Sequence, residues 1–180
     1  MKLKLILIIF FGFSAMVFAQ NYTLNLAISR GDKIAVDELL REGTPVNGSD
    51  ADGLTPLNVA ISYRQLDIIK MLIQYGADPN NPDGKGRYPL MLSAAQNLYD
   101  MVDFLIDQGA IVNQTDDHGR TALMYAIIKN QGFALEIVKL LFRYGADLNI
   151  TDDYGYAALD LATDIDLKDF LQFNGAYNAH

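Results

Sequence analysis

One pattern constrains this chain more than any other: a frame of Gly, Leu and Ala that returns every 33 residues. Between Asp50 and Pro82 its markers are Gly53, Thr55-Pro56-Leu57, Ala60, an apolar run from Leu66 to Ile73, Gly76-Ala77-Asp78 and Asn80. They return as Gly86, Pro89-Leu90, Ala94, Tyr99 to Ile106, Gly109-Ala110 and Asn113, and again as Gly119, Thr121, Leu123 and Ala126. There the second half slips by three residues, to Gly145-Ala146-Asp147 and Asn149, before Gly155, Leu159, Ala162 and Gly175-Ala176 close the series. A period of this length marks a stack of small units, each touching only its neighbours.

One unit explains why it needs the next. Thr55 before Pro56 is a helix start, because the hydroxyl accepts from an orphan amide and Pro loses nothing at the first helical position. The spacing predicts a short helix from about Pro56 to Tyr63 and a second from about Leu66 to Tyr75. Gly76 stops the second by taking the left-handed conformation. Leu66, Ile68, Ile69, Met71, Leu72 and Ile73 are too many apolar positions for one stripe, so that helix must be covered on several sides. Asp78 to Gly84 contains two Pro and a Gly and reads as a turn-rich connector.

The 33-residue period with a Thr-Pro-Leu start resembles the ankyrin repeat, over essentially the whole chain after residue 20. The resemblance implies an all-α solenoid of about five stacked helix-turn-helix units with projecting β-turn fingers, at about 20–49, 50–82, 83–115, 116–151 and 152–180. Counting back from Gly43 sets the first unit, with Gly31 against Arg64, Ala27 against Ala60 and Leu24 against Leu57, and a helix start near Tyr22 or Thr23. Asn25, Arg30, Asp32, Lys33, Asp37, Glu38, Arg41 and Glu42 give that unit a cap's polar side, as Asp164, Asp166, Lys168 and Asp169 do for the last. The three extra residues of the fourth unit fall near Asn130-Gln131-Gly132, in the turn between helices, and Tyr177 to His180 is expected to fray. The chain departs from the family pattern at its His position, which holds Asn58, Met91, Met124 and Asp160, and Tyr88 and Ala157 replace two of the Thr. The inter-repeat bonds that Thr and His build are therefore expected to be weaker, with Asn58 as the partial substitute.

Ahead of the repeats, Lys2 and Lys4 precede the run Leu5 to Phe13, and Val17-Phe18-Ala19 offers small residues at a peptidase site. Residues 1–19 are therefore expected to be a signal peptide cleaved before Gln20, placing the mature chain in the periplasm or outside the cell. The alternative is a membrane-tethered adaptor that keeps the segment as an anchor, although a span wants about 20 apolar residues and Ser14 interrupts this run. With no Cys, lipid attachment to Cys, disulfides and thiolate metal sites are unavailable, and the length suffices for a core without them. Loss of Lys2 and Lys4 takes the net charge from −8 to −10, a surface that repels nucleic acid and anionic lipid.

Nothing in the pattern resembles a catalytic group. The chain has two His. His118 follows Asp116 and Asp117 in a finger, but adjacent residues on a turn rarely converge on one ion. The Asp that opens each finger, at 50, 83, 116 and 152, can bond its own backbone. Gly84-Lys85-Gly86 lacks the spacing and the Ser or Thr of a phosphate loop. A non-enzymatic scaffold with no cofactor, metal or small-molecule substrate is expected, its partner another protein and a membrane only if the leader is uncleaved. In ankyrin proteins the variable positions line the finger tips and the exposed side of the first helices. The resemblance therefore implies a partner-binding set of Tyr63, Tyr75, Lys85, Arg87, Gln96, His118, Arg120, Lys129, Tyr144, Tyr154 and Tyr156. Tyr and Arg bury large areas while keeping a polar end, as binding hot spots do. Tyr75 and Tyr144, each just before a Gly, have a second role open to them, covering a helix end.

Overall fold

The computed structural model describes residues 23–129 and 132–179, and within them ten helices and no strand. In chain order they are α1 Leu24–Ser29, α2 Lys33–Arg41, α3 Pro56–Ser62, α4 Leu66–Gln74, α5 Pro89–Ala95, α6 Tyr99–Asp107, α7 Ala122–Lys129, α8 Ala134–Arg143, α9 Ala158–Leu161 and α10 Ile165–Phe173. The leader at residues 1–19, a start at Tyr22, the insertion residues Asn130 and Gln131, and His180 lie outside the described residues.

Odd-numbered helices form one row, α1, α3, α5, α7 and α9, each packed on the next, and every one also packs on the even-numbered helix that follows it. The even-numbered row touches less, mainly between α2 and α4 and between α6 and α8. A stack held closer along its first-helix row bends toward that side, so the first helices and the fingers line the hollow face. The expected solenoid is therefore the observed fold.

Local chemistry sets the helix ends. Thr23, Thr55 and Thr121 accept from the amides of Leu26, Asn58 and Met124. Tyr88 and Ala157 stand at that position without a side-chain acceptor; Asp160 replaces the cap at Ala157 by accepting from its amide at 2.9 Å. After α4, Gly76 takes φ +87° and donates to Ile73, while Ala77 donates to Leu72, satisfying carbonyls the helix leaves open. An added Cβ there would touch nothing, so Gly76 is required by its backbone angle and not by space. The missing residues of the last unit shorten its first helix to Ala158–Leu161. Ala162 then turns extended, and Asp164 caps α10 through the amides of Asp166 and Leu167.

The core runs the length of the stack as one cluster. In α4, Ile68, Ile69 and Leu72 are fully buried, and Leu66, Met71 and Ile73 are half-buried against the same cluster. At about 1.5–3 kcal/mol for each large side chain removed from water, burial of this kind is the main term favouring the folded stack. One unit alone would leave its flanks wet.

Candidate functional site

Each finger begins with an Asp whose Oδ1 accepts two amides further along its own turn. Asp50 takes those of Asp52 and Leu54, Asp83 those of Lys85 and Arg87, Asp116 those of His118 and Arg120, and Asp152 those of Tyr154 and Tyr156. The self-bonding role expected for these carboxylates is therefore observed. Their second oxygens carry what the repeat period does not dictate. Asn25 donates to Asp50 at 2.8 Å, Arg87 reaches Asp83 at 2.6 and 2.9 Å, Tyr125 donates to Asp116 at 2.7 Å, and Arg120 reaches Asp152 at 3.4 Å.

Electrostatics follow from these pairs. Burial alone would raise the Asp83 carboxyl, but the Arg87 guanidinium and the amides of Lys85 and Arg87 outweigh it and hold it below the usual carboxylate range. Asp50 is held low in the same way, with Asn25 and the amides of Leu54 and Asp52 overcoming burial. Burial, then the bond to Asp116, pushes the Tyr125 phenol up to about 12.

Neighbouring fingers touch through backbone. Gly84 donates to the Gly53 carbonyl at 2.8 Å and Asp153 to that of His118 at 3.0 Å. A Cβ on Gly53 would lie 2.7 Å from the Gly84 Cα, so at φ +74° this Gly is required by both angle and space.

The residues expected to bind a partner divide into three groups. Tyr63 closes α3, Lys129 ends α7, and Lys85, His118, Tyr154 and Tyr156 sit on fingers, all along the hollow side. Tyr63, Tyr154 and Tyr156 are 57%, 69% and 44% exposed. His118 Nδ1 lies 3.9 Å from the Asp153 carboxylate of the next finger.

Arg87, Arg120 and Gln96 form a second group, used within the stack. Both guanidinium groups are part-buried against finger carboxylates that are almost wholly buried. Gln96, which closes α5, accepts from Arg64 at 3.4 Å and donates to the Ile61 carbonyl at 3.4 Å. These three shape the face more than they present a free end to it.

Tyr75 and Tyr144 do not belong to that face. They close second helices, α4 and α8, and their hydroxyls reach back along the outer row. Tyr75 donates to Asp37 of α2 at 2.7 Å and accepts from Arg41 at 3.4 Å; Tyr144 reaches Asp103 at 3.3 Å and Asp107 at 3.5 Å in α6. The helix-end position before each Gly directs the ring onto the preceding unit, and the carboxylates there hold it.

Asn58 is a further correction. Its side chain is buried and both of its polar atoms lack a hydrogen-bond partner among the described residues. By register its target would be Asp83, as Asp50 is for Asn25, but Arg87 occupies that carboxylate. In the second unit Leu54 stands where Arg87 does, leaving Asp50 open to Asn25, which also donates to the Leu54 carbonyl. The partial substitute is thus Asn25, one unit earlier than expected.

Sequence reasoning also missed what joins the units on the side of the Gly turns. Asn47 donates to the Gly76 carbonyl and accepts from the Asp78 amide. Asn80 repeats this with Gly109 and Ile111, Asn113 with Gly145 and Asp147, and Asn149 with Gly175 and Tyr177. The signal was present in the fixed Gly-to-Asn spacing, which was legible as register but not as a bond.

Among the described residues no three His, Asp or Glu are grouped to hold a metal ion, and no helix is long and apolar enough to cross a membrane. A family model described as ankyrin repeats (3 copies) matches residues 7–83 and again residues 76–152, together well over half the chain. No curated protein matches it.

Proposed function

We propose, because the chain belongs to the ankyrin-repeat family, that it is a non-enzymatic scaffold holding another protein against its hollow face. Ankyrin repeats commonly mediate protein–protein interaction. The observation that carries the reading here is aromatic exposure. Tyr154, Tyr63 and Tyr156 stand 69%, 57% and 44% exposed on the fingers and first-helix ends. Rings exposed at such positions offer a large area to a contact that covers them. Lys85, His118 and Lys129 lie on the same side and would set orientation.

The leader supports export, since two Lys followed by the run Leu5 to Phe13 and a small-residue site is the pattern of a segment removed on secretion. On that basis the partner is an envelope or secreted protein, and a protective or immunity role toward it is the concrete form of the proposal. The same apolar run favours a second reading, a membrane-tethered adaptor. N-terminal sequencing of the exported protein separates the two, because a start at Gln20 leaves no tether.

The central test is capture of partners from the native envelope with the intact protein and with Tyr154→Ala/Tyr156→Ala. The double variant should lose the partner at an unchanged denaturant midpoint. An equal yield from both proteins would overturn the assignment of the face.

A further inference from the structure

Away from the fingers, the outer row of helices encloses a cleft of about 800 Å³. It opens between the first turn of α6 and the length of α8, from Glu136 to Arg143, and reaches Leu66 at the start of α4. Its volume falls in the range of roughly 300–1,000 Å³ typical of small-molecule sites. Leu66, Leu98, Met101 and Leu140 form the apolar floor, with Phe133, 59% exposed, as one wall.

The cleft carries a small positive excess on an acidic chain. In a chain with 22 acidic and 14 basic residues, Arg64, Lys139 and Arg143 face two carboxylates, Asp100 and Glu136, around this opening. None of the three cations forms an ion pair among the described residues, a condition they share with Lys70, Lys85, Lys129 and Lys168 and not with Lys33, Arg41, Arg87 and Arg120. Their own close contacts are with neutral groups, and the two carboxylates on the rim leave one positive charge in excess. Arg64 is bonded to the neutral Gln96, Lys139 lies 5.9 Å from the centre of the Phe170 ring, and Arg143 lies 5.8 Å from that of Tyr144. The helix starts differ in the same sense. Asp32 and Asp164 cap the second helices of the two end units, while α4, α6 and α8, which supply the cleft, have no side-chain cap.

We propose that this cleft binds a single-tailed amphiphilic anion, a free medium- or long-chain carboxylate whose tail lies over Leu98, Met101 and Leu140. The headgroup sits among Arg64, Lys139 and Arg143. A cation of the same shape would meet three like charges against the two carboxylates Asp100 and Glu136, and a neutral tail would leave the positive excess without a partner. The tail lies against the outer row of helices, while Arg64 joins the cleft to the hollow face through Gln96.

The test is calorimetric titration of the full-length protein with laurate and with dodecylamine, probes of equal tail and opposite head charge. Lys139→Gln/Arg143→Gln is compared with the unmodified chain, and the leader is common to both proteins. Laurate should bind one per chain, at least tenfold tighter than dodecylamine, and at least tenfold weaker in the double variant at an unchanged melting midpoint. Both substituted side chains are exposed, so the variant is expected to fold. Equal affinity for the two probes, equal affinity of the two proteins for laurate, or no binding of laurate would each overturn the proposal. Sedimentation of the protein with anionic phospholipid vesicles in the absence of any laurate response would assign the cations to a bilayer surface instead, and would overturn it equally.

Discussion

Replacing Asn80 with Ala isolates what one rung of the asparagine ladder contributes. Asn80 Nδ2 donates to the Gly109 carbonyl at 3.0 Å and Oδ1 accepts from the Ile111 amide at 2.9 Å, so the substitution removes two bonds between the second and third units and no core contact. At about 0.5–1.5 kcal/mol net for each bond, the loss is roughly 1–3 kcal/mol. Both bonds lie in exposed surroundings. Water therefore replaces the lost partners, and the value should fall toward about 1 kcal/mol.

The ladder supplies its own control. Asn149 makes the equivalent bonds to Gly175 and Tyr177 at 3.3 and 3.2 Å, at the long end of hydrogen-bond distance, so Asn149→Ala should cost less than Asn80→Ala. Asn80→Asp keeps the acceptor for Ile111 but sets an anion against the Gly109 carbonyl, and should cost at least as much as Ala. Urea unfolding followed by circular dichroism reads all three. Because Asn80 joins units without belonging to either core, its loss should also lower the slope of the transition as the two halves begin to unfold separately. An unchanged midpoint for Asn80→Ala, or a cost at Asn149 equal to that at Asn80, would refute the view that these side chains couple neighbouring units.

Three further outcomes follow from the burial and charge of named residues. Leu72→Ala, in a fully buried position, should cost about 2–5 kcal/mol, whereas exposed Asp117→Ala should leave the urea midpoint almost unchanged. Asn58→Leu should raise the midpoint by removing two unpartnered buried polar atoms, while Asn25→Leu should lower it by deleting the bonds to Asp50 and Leu54; the two shifts having the same sign would contradict the hydrogen-bond assignment. Asp83 is depressed below its ordinary 3.8, so the stability it contributes is present above that value and is lost as pH falls through its lower folded value. Asp83→Asn should therefore be less stable than the parent at about pH 7, with the gap closing toward about pH 2; a gap independent of pH would remove the carboxylate from the explanation.

The frame of this fold was legible because it is repeated. The helix expected from Pro56 runs to Ser62, the one expected from Leu66 runs to Gln74, and Gly76 ends it as its φ requires. Such features depend on residues close in sequence, so five copies of one spacing suffice to fix them. The candidate face was less legible because it depends on pairs about 30 residues apart. Tyr75 and Tyr63 look equivalent in the chain, yet one closes a second helix above Asp37 and Arg41 and the other ends a first helix in solvent. Nothing near Tyr75 in sequence announces Asp37, 38 residues away.

Asn58 shows how one exchange passes between units. In the second unit the residue four after the finger Asp is Leu54, and the preceding unit's Asn25 takes the free oxygen of Asp50. In the third unit that residue is Arg87, which occupies Asp83 from within its own finger and leaves the Asn58 side chain without a hydrogen bond among the described residues. Arg87 thus replaces a bond between units with one inside a unit. The third finger becomes more firmly shaped by its own charge pair and less firmly tied to the second unit on that side. Gly84 to Gly53, Asn80 to Gly109 and Ile111, and Gln96 to Arg64 and Ile61 then carry the polar coupling across this joint. The loss of the asparagine-to-finger bond at this joint makes its coupling rest on the turn side and the helix ends in place of the finger carboxylate.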